Sequence, residues 1–280
     1  MTLRKFIILT LTLLLPSSFK AEESKGVRPV MASYYLKTGG GQIIDTYLSI
    51  IPYKGFEIGA GFENIRTSRF REHKWATRHL LETEFLRALN SRKNSQMLSY
   101  MFNYEFDYMR RYTLPCGLRL FVGGNLVADA GTTYTGLGNN PAAAKATIDL
   151  GIAAMAMYRL QIKNYPITIK DNLSFPLIGA FICPQFGASY YEMFYLGNRE
   201  GLVHFGYPGN NLYISNMLTL DFPVKRRSIR IGYECKFRSM HQNHLVYKNF
   251  AHEFIFGVAI NKVIVGAKEK QLKQEIISLY

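Results

Sequence analysis

Cysteine, tryptophan, acidic side chains and long apolar runs are the scarce features of this 280-residue sequence. The three cysteines, Cys116, Cys183 and Cys235, are too few and too scattered for a disulfide framework. No CxxC pair or Cys/His cluster has zinc-ligand spacing, and no cofactor motif stands out. Past the N-terminus no stretch of 18 uncharged apolar residues occurs, which excludes a transmembrane helix there. Acidic residues number 20 against 34 Lys and Arg, a formal charge of +14. That balance favours anionic partners. With 48% apolar and 14% aromatic residues the chain is not disordered.

The N-terminus reads as a secretory signal over residues 1–21. Arg4 and Lys5 precede the apolar core Phe6 to Leu15, followed by Pro16, Ser17, Ser18 and Ala21. Removing it leaves 31 basic and 20 acidic side chains, +11. An exported basic chain meets lipid headgroups rather than nucleic acid.

Tyr and Phe are plentiful, 19 of each, and charge alternates with apolar residues. In "ATIDLGIAAMAMYRLQI", residues 146–162, the even positions are Ala146, Ile148, Leu150, Ile152, Ala154, Ala156, Tyr158, Leu160 and Ile162. Asp149 and Arg159 fall on the other face. Period 2 separates the charges and period 3.6 does not, so the run is a strand. Residues 118–132, 98–108 and 229–238 alternate the same way without a charge on the apolar face. Soluble sandwich strands average about 5–6 residues. Runs of this length suit the ~25 Å apolar band of an outer membrane, with lipid outside and charges inside. The expected fold is all-β: a transmembrane antiparallel up-and-down β-barrel of ten strands. Twelve is the alternative, if residues 31–50, broken by "TGGGQ", form an extra hairpin. "HLLETEFLRAL" can be read as a helix but pairs across "NSRKNS" as a strand. Residues 167–182 alternate except at Asp171, where a bulge would restore the pattern. Short connections ("TLPCG", "KNYP", "VKRRS") predict the periplasmic side. Longer ones ("TGLGNNPAAA", residues 184–211, "HQNHLVYKN") predict the outside. The expected organisation is signal 1–21, periplasmic segment 22–29, barrel 30–262, and a tail over 263–280 with a short amphipathic helix.

Several strings resemble a family of uncharacterised Gram-negative outer-membrane β-barrels, filed as a domain of unknown function. They are "DTYLS" (Asp45–Ser49) with "YKG" (Tyr53–Gly55), "NNPAAAKA" (Asn139–Ala146), "SYYEMFYLGN" (Ser189–Asn198) and "MLTLDFP" (Met217–Pro223). The family tends to place proline straight after "DTYLS"; here Ile50 and Ile51 precede Pro52. The resemblance implies fold and outer-membrane location, and no catalytic residues.

The candidate site is a lumen charge network. Glu105, Asp107, Asp129, Asp149, Glu234 and Glu253, with Glu57, face Arg119, Lys145, Arg159, Lys170, Arg230, Lys236 and Arg238 by parity. A barrel near eight strands is filled by side chains, whereas channels need about sixteen, so these charges plug it, paired because a lone buried charge is costly. The resulting reading is an envelope-structural or surface-binding barrel. The alternatives are a membrane-embedded lipid-modifying hydrolase or acyltransferase, built around His252 with Ser239 near it in sequence, or a narrow transport pore. His204, His241 and His244 fall in external loops without the acids a metal site needs. Basic clusters at the short turns (Arg69, Arg71 and Lys74; Arg110 and Arg111; Lys225, Arg226 and Arg227) suit anionic headgroups. The other expected partners are the barrel-assembly machinery and an extracellular glycan or protein, the latter from the Tyr-, Asn- and Gly-rich segment 187–211.

Overall fold

The computed structural model describes residues 28–68, 74–136, 141–163, 165–197, 200–225 and 227–264. The expected signal, the basic residues Arg69, Arg71 and Arg226, and nearly all of the tail lie outside the described residues. In chain order the elements are β1 (Arg28–Asp45), β2 (Ser49–Thr67), β3 (Trp75–Leu89), β4 (Gln96–Thr113), β5 (Arg119–Thr135), β6 (Ala142–Ile162) and β7 (Tyr165–Ile182). They continue with α1 (Tyr190–Phe194), β8 (Val203–Gly206), β9 (Asn211–Val224), β10 (Arg227–Gln242) and β11 (Leu245–Ile264).

Ten strands form the wall. Each pairs antiparallel with its sequence neighbours, β7 with β9, and β1 closes the circle against β11 from Arg28↔Ile264 to Asp45↔Tyr247. β8 is a four-residue strand added to β7 at Gly179–Ile182. The fold is a closed antiparallel ten-stranded β-barrel, which decides against twelve. Both ends of the strand run, β1's start and β11's finish, lie at one end of the barrel, here the terminal end. The opposite end carries the 183–210 connection and is the loop end.

The "TGGGQ" string does not break β1. A Cβ on Gly39 would lie 1.9 Å from the backbone oxygen of His252. Only glycine lets β1 pass that close to β11, so the string keeps the strand continuous. Two connections expected to be long are short. β6 already begins at Ala142, and β10 and β11 are joined by Asn243 and His244 alone, both at positive φ (53° and 61°). That is the conformation a two-residue hairpin turn needs, and Asn tolerates it. His241 is therefore a β10 residue and His204 a β8 residue, not loop residues.

The two faces of each wall strand have opposite chemistry. On β6, Ile148, Leu150 and Ile152 are 53%, 51% and 47% exposed on the outside, while Ala153, Met155 and Met157 on the other parity are buried. Apolar side chains exposed to this extent over the whole wall are what a hydrocarbon environment accommodates and water does not. The β6–β7 register shift lies at Leu150/Gly151, above Asp171. Asp171 thus stays on the outer face, half-buried, and accepts a hydrogen bond from Asn216 Nδ2 at 2.9 Å.

A charge-filled lumen as the candidate functional site

Inward positions from all ten wall strands meet on the axis. Toward the terminal end, Glu63 accepts from Arg78 Nε (2.7 Å), from Arg230 Nη1 (2.6 Å) and from Lys170. Arg230 also donates through Nε and Nη2 to both oxygens of Asp221, at 2.7 and 2.8 Å. Arg78 Nη1 reaches Asp107 at 2.8 Å and Glu105 at 3.2 Å. Paired, forked contacts of this kind are the strong form of ionic hydrogen bond. They are needed here because Arg78 and Arg230 are among the largest fully buried side chains of the barrel.

In the middle, the Lys37 ammonium lies 2.9 Å from Glu234, 3.0 Å from Glu253 and 3.3 Å from Glu82, with Glu84 also in contact. Lys236 bridges Glu82, Glu84 and, at 3.3 Å, Glu234. Tyr35 Oη donates to Glu82 at 2.6 Å and Ser215 Oγ to Glu234 at 3.2 Å. Toward the loop end Arg238 pairs with Asp129 and stacks over Tyr213, 4.2 Å from its ring centre. Lys145 pairs with Asp45 at 2.8 Å. Asn103 donates to Asp129 and Asn211 to Asp149.

Apolar clusters close both ends of this column. At the terminal end Met31, Ile65, Met109, Phe121, Met155 and Met157 pack together. At the loop end Ile43, Tyr53, Leu86, Met97, Phe181 and Met240 do so. The arrangement can hold charge, and among the described residues buried side chains occupy the axis between the two apolar clusters.

Of the fourteen side chains expected in the network, Glu57, Glu105, Asp107, Asp129, Lys145, Asp149, Lys170, Arg230, Glu234, Lys236, Arg238 and Glu253 are buried in the lumen. Two are not. Arg119 is half-buried and Arg159 exposed at the terminal end. Both have inward parity, but their strands have already left the packed interior by that point. Sequence reasoning omitted Lys37, Asp45, Glu63, Arg78, Glu82, Glu84 and Asp221, all of which are buried here. Lys37 lies beside the "TGGGQ" glycines, Glu82 and Glu84 lie in the helix-like string, and Arg78 immediately precedes it. Their shared even parity was the available signal.

On the terminal-end mouth Arg111, Arg119 and Arg159 come from three adjacent strands on the inward parity. They are diagonal neighbours in register (Thr113↔Arg119, Arg119↔Met157), and Arg119 lies within reach of both other charges. Arg66, Arg110 and Arg227 line the outside of the same rim. There Arg110 lies 5.3 Å over the ring of Tyr112, and Trp75 stacks on Tyr108.

A polar row crosses strands β9, β10 and β11 on the outer wall. His252 faces outward, directly opposite Cys235 on β10, which is opposite Asn216 on β9. No hydrogen bond joins Cys235 to His252 among the described residues. Ser239 is opposite Lys248, away from His252. An apolar hollow of about 600 Å³ opens on the same wall between Leu36, Ile58, Phe85 and Phe256. At the loop end, Asn243 Nδ2 donates to the backbone oxygens of Cys183 (3.3 Å) and Pro184 (3.1 Å), and His204 Nε2 lies 3.1 Å from the Cys183 oxygen. Burial pushes the Cys183 thiol up to about 11. The neighbouring helix α1 starts with a capping box between Ser189 and Glu192. Beyond that cap, Tyr191 and Tyr195 stack at 4.8 Å and stay exposed.

Solved structures that the chain is similar to include the outer membrane protease OmpT from Escherichia coli, at 7% identity and TM-score 0.48, covering 88% of this chain and all of that one. A second is the translocator domain of the autotransporter NalP from Neisseria meningitidis, at 12% identity and TM-score 0.39, covering 92% and 93%. A third is the beta domain of the Bordetella autotransporter BrkA, at 8% identity and TM-score 0.37, covering 84% and 98%. No curated protein sequence matches the chain. The family model described as Protein of unknown function (DUF3316) matches residues 6–269, and the chain belongs to that family.

Proposed function

We propose that the protein is an integral barrel of the Gram-negative outer membrane with an envelope-structural or surface-binding role and a lumen kept shut by its ion pairs. The observation that carries this reading is the inverted amphipathy of the wall, apolar side chains outward and charged ones buried on the axis. A water-soluble barrel would place them the other way round. The basic terminal-end rim then lies among anionic headgroups on the periplasmic side. Exposed Tyr191, Tyr195 and Phe205 at the loop end suit a glycan or protein outside the cell. The barrel-assembly machinery is the expected partner during insertion.

The test is fractionation combined with thiol labelling. The protein is expected in the outer-membrane fraction, migrating differently before and after boiling. Exposed Cys116, in the terminal-end turn, should react with a membrane-impermeant maleimide only after the outer membrane is permeabilised. Recovery from the soluble periplasm overturns the reading, and labelling of Cys116 on intact cells inverts the orientation. Planar bilayers should give no stable porin-sized currents.

The outer-wall pair Cys235 and His252 favours a second reading, acyl transfer on a lipid ester. The Cys235 thiol would give its proton to His252 and attack the ester carbonyl. The acyl group would become a thioester and the lipid alcohol would leave with the proton from His252. A hydroxylamine-sensitive acyl group on Cys235, absent from Cys235→Ser, is the expected signature, and its absence removes this reading.

A further inference from the structure

The apolar hollow on the outer wall lies where three neighbouring strands present small side chains side by side. One rung of the register carries Phe256, Leu36, Ala60 and Thr83 from β11, β1, β2 and β3. The next rung toward the loop end carries Thr38, Ile58 and Phe85. Thr38, Ala60 and Thr83 leave the floor low, and the larger side chains around them form its walls. Its volume of about 600 Å³ falls within the roughly 300–1,000 Å³ of small-molecule sites. On a wall that faces hydrocarbon, a slot of this kind takes an acyl chain.

A basic patch stands above the hollow on the same strands. Lys54 and Arg87 are exposed on the outer face toward the loop end. They are diagonal neighbours, since Lys54 pairs with Leu89 and Phe56 with Arg87. Diagonal positions are about 7–8 Å apart, so one phosphate can take both side chains. Lys248 reaches the same end on β11, on the other side of β1. Every Asp and Glu of β1, β2, β3 and β11 is buried on the axis, so none of these strands sets an acid beside the patch. The patch and the hollow are one lipid length apart. Lys54 lies four residues from Ile58 and six from Ala60, about 13–20 Å along the strand at ~3.3 Å per residue. A tilt of about 40° reduces this to a height of roughly 10–15 Å, half of the ~25 Å apolar band. A lipid with its phosphate at Lys54 and Arg87 therefore reaches the hollow with its acyl tail, within one leaflet.

We propose that this face of the wall binds a phosphorylated glycolipid of the external leaflet, its phosphate held by Lys54 and Arg87 and one acyl chain seated in the hollow. The inference rests on the outer-membrane reading, which puts the loop end outside. The external leaflet of that membrane is built from phosphorylated, multiply acylated glycolipid, whereas glycerophospholipid faces the periplasm. The placement of the basic pair at the loop end selects the former. The guanidinium of Arg87 suits a phosphate through its forked donors, and Lys54 adds a second, mobile charge. Cys235 and His252 take no part in this site.

The full-length mature protein is refolded in detergent without lipid. Its unfolding midpoint, read from the heat-modifiable fraction, is measured with added lipid A, with dephosphorylated lipid A and with phosphatidylglycerol. Lipid A at about a hundredfold its Kd should raise the midpoint by about 5 °C. The other two should need about tenfold more lipid, because contacts to the paired phosphate charge are lost or misplaced. Lys54→Gln combined with Arg87→Gln changes only exposed side chains. That barrel should assemble with an unchanged midpoint in the absence of lipid and need about tenfold more lipid A. Ala60→Phe fills the hollow from the outer face and should weaken lipid A while leaving the charges in place. A parent midpoint that ignores lipid A overturns the site. So does an undiminished response in either assembled variant. An equal response to phosphatidylglycerol overturns the glycolipid assignment. If Ala60→Phe does not assemble, the charge variant decides. Failure to fractionate with the outer membrane counts against the location; a barrel that fractionates there and ignores lipid A counts against this site alone.

Discussion

The middle of the lumen and its two ends solve one packing problem with opposite chemistry. Between the two ends the column is filled by Lys37, Arg78, Lys170 and Arg230 among carboxylates, while the terminal end itself is filled by Met31, Met109, Phe121, Met155 and Met157. Both fill the axis of a ten-stranded wall. The charged column needs each member, because removing one leaves others buried without a counter-charge. The methionine cap needs only volume, and Met adapts its shape to neighbours. The charged part therefore determines which side chains must be present, and the apolar part how tightly the ends are closed.

The largest break in that comparison is Glu63→Leu. Arg78, Lys170 and Arg230 all converge on this one carboxylate. The change should cost about 3–5 kcal/mol and sharply reduce assembled barrel, read as the heat-modifiable fraction. Adding Lys170→Met should recover part of the loss, and the recovery measures coupling between the two sites. If Glu63→Leu assembles like the parent, the column is not ionic in the way its distances imply.

Ile152→Arg tests the wall rather than its filling. Ile152 is 47% exposed on the outer face. An arginine there should cost about 2–4 kcal/mol in a bilayer, and Ile152→Leu well under that. The same assay run in detergent and in lipid separates loss of membrane compatibility from loss of packing. A smaller effect comes from the cap: Met155→Leu conserves volume and should cost less than about 1.5 kcal/mol by denaturant titration. A cost comparable to that of Glu63→Leu would mean the cap is as exacting as the column.

The wall was legible in the sequence because period 2 is written into residues 98–108, 118–132, 146–162 and 229–238 on both faces at once. The lumen was only partly legible. Parity tells which way a residue points, not whether the barrel is packed at that height. Glu234 and Arg119 have the same parity evidence, yet Glu234 is buried among two lysines and Arg119 sits at the mouth. Partners were not legible at all. Asp129 meets Arg238 from a strand 109 residues away, and such a pairing follows from the cross-section of the closed barrel rather than from any local pattern. Arg78, Glu82 and Glu84 were hidden because their neighbours His79, Leu80, Leu81, Leu86 and Ala88 also satisfy a helical period.

Arg159 gives the smallest expected effect and the sharpest contrast with Arg230. Both are arginines of inward parity on long strands. Arg230 is fully buried and donates to Asp221, Glu63 and Ser33. Arg159 is exposed, and among the described residues no carboxylate bridges to it. Parity alone predicts that Arg159→Leu would strand a lumen acid. The structure predicts a change within about 0.5 kcal/mol, since an exposed charge without a partner contributes little to folding. Removing it also relieves its repulsion with Arg119, which argues for a neutral or slightly favourable sign. The difference should shrink further in high salt, where exposed charges are screened. Denaturant midpoints for Arg159→Leu and for the parent, each at low and high salt, measure this. A loss above about 2 kcal/mol, unaffected by salt, would place Arg159 inside the packed column after all. The closed region of the lumen would then extend to the barrel's terminal edge.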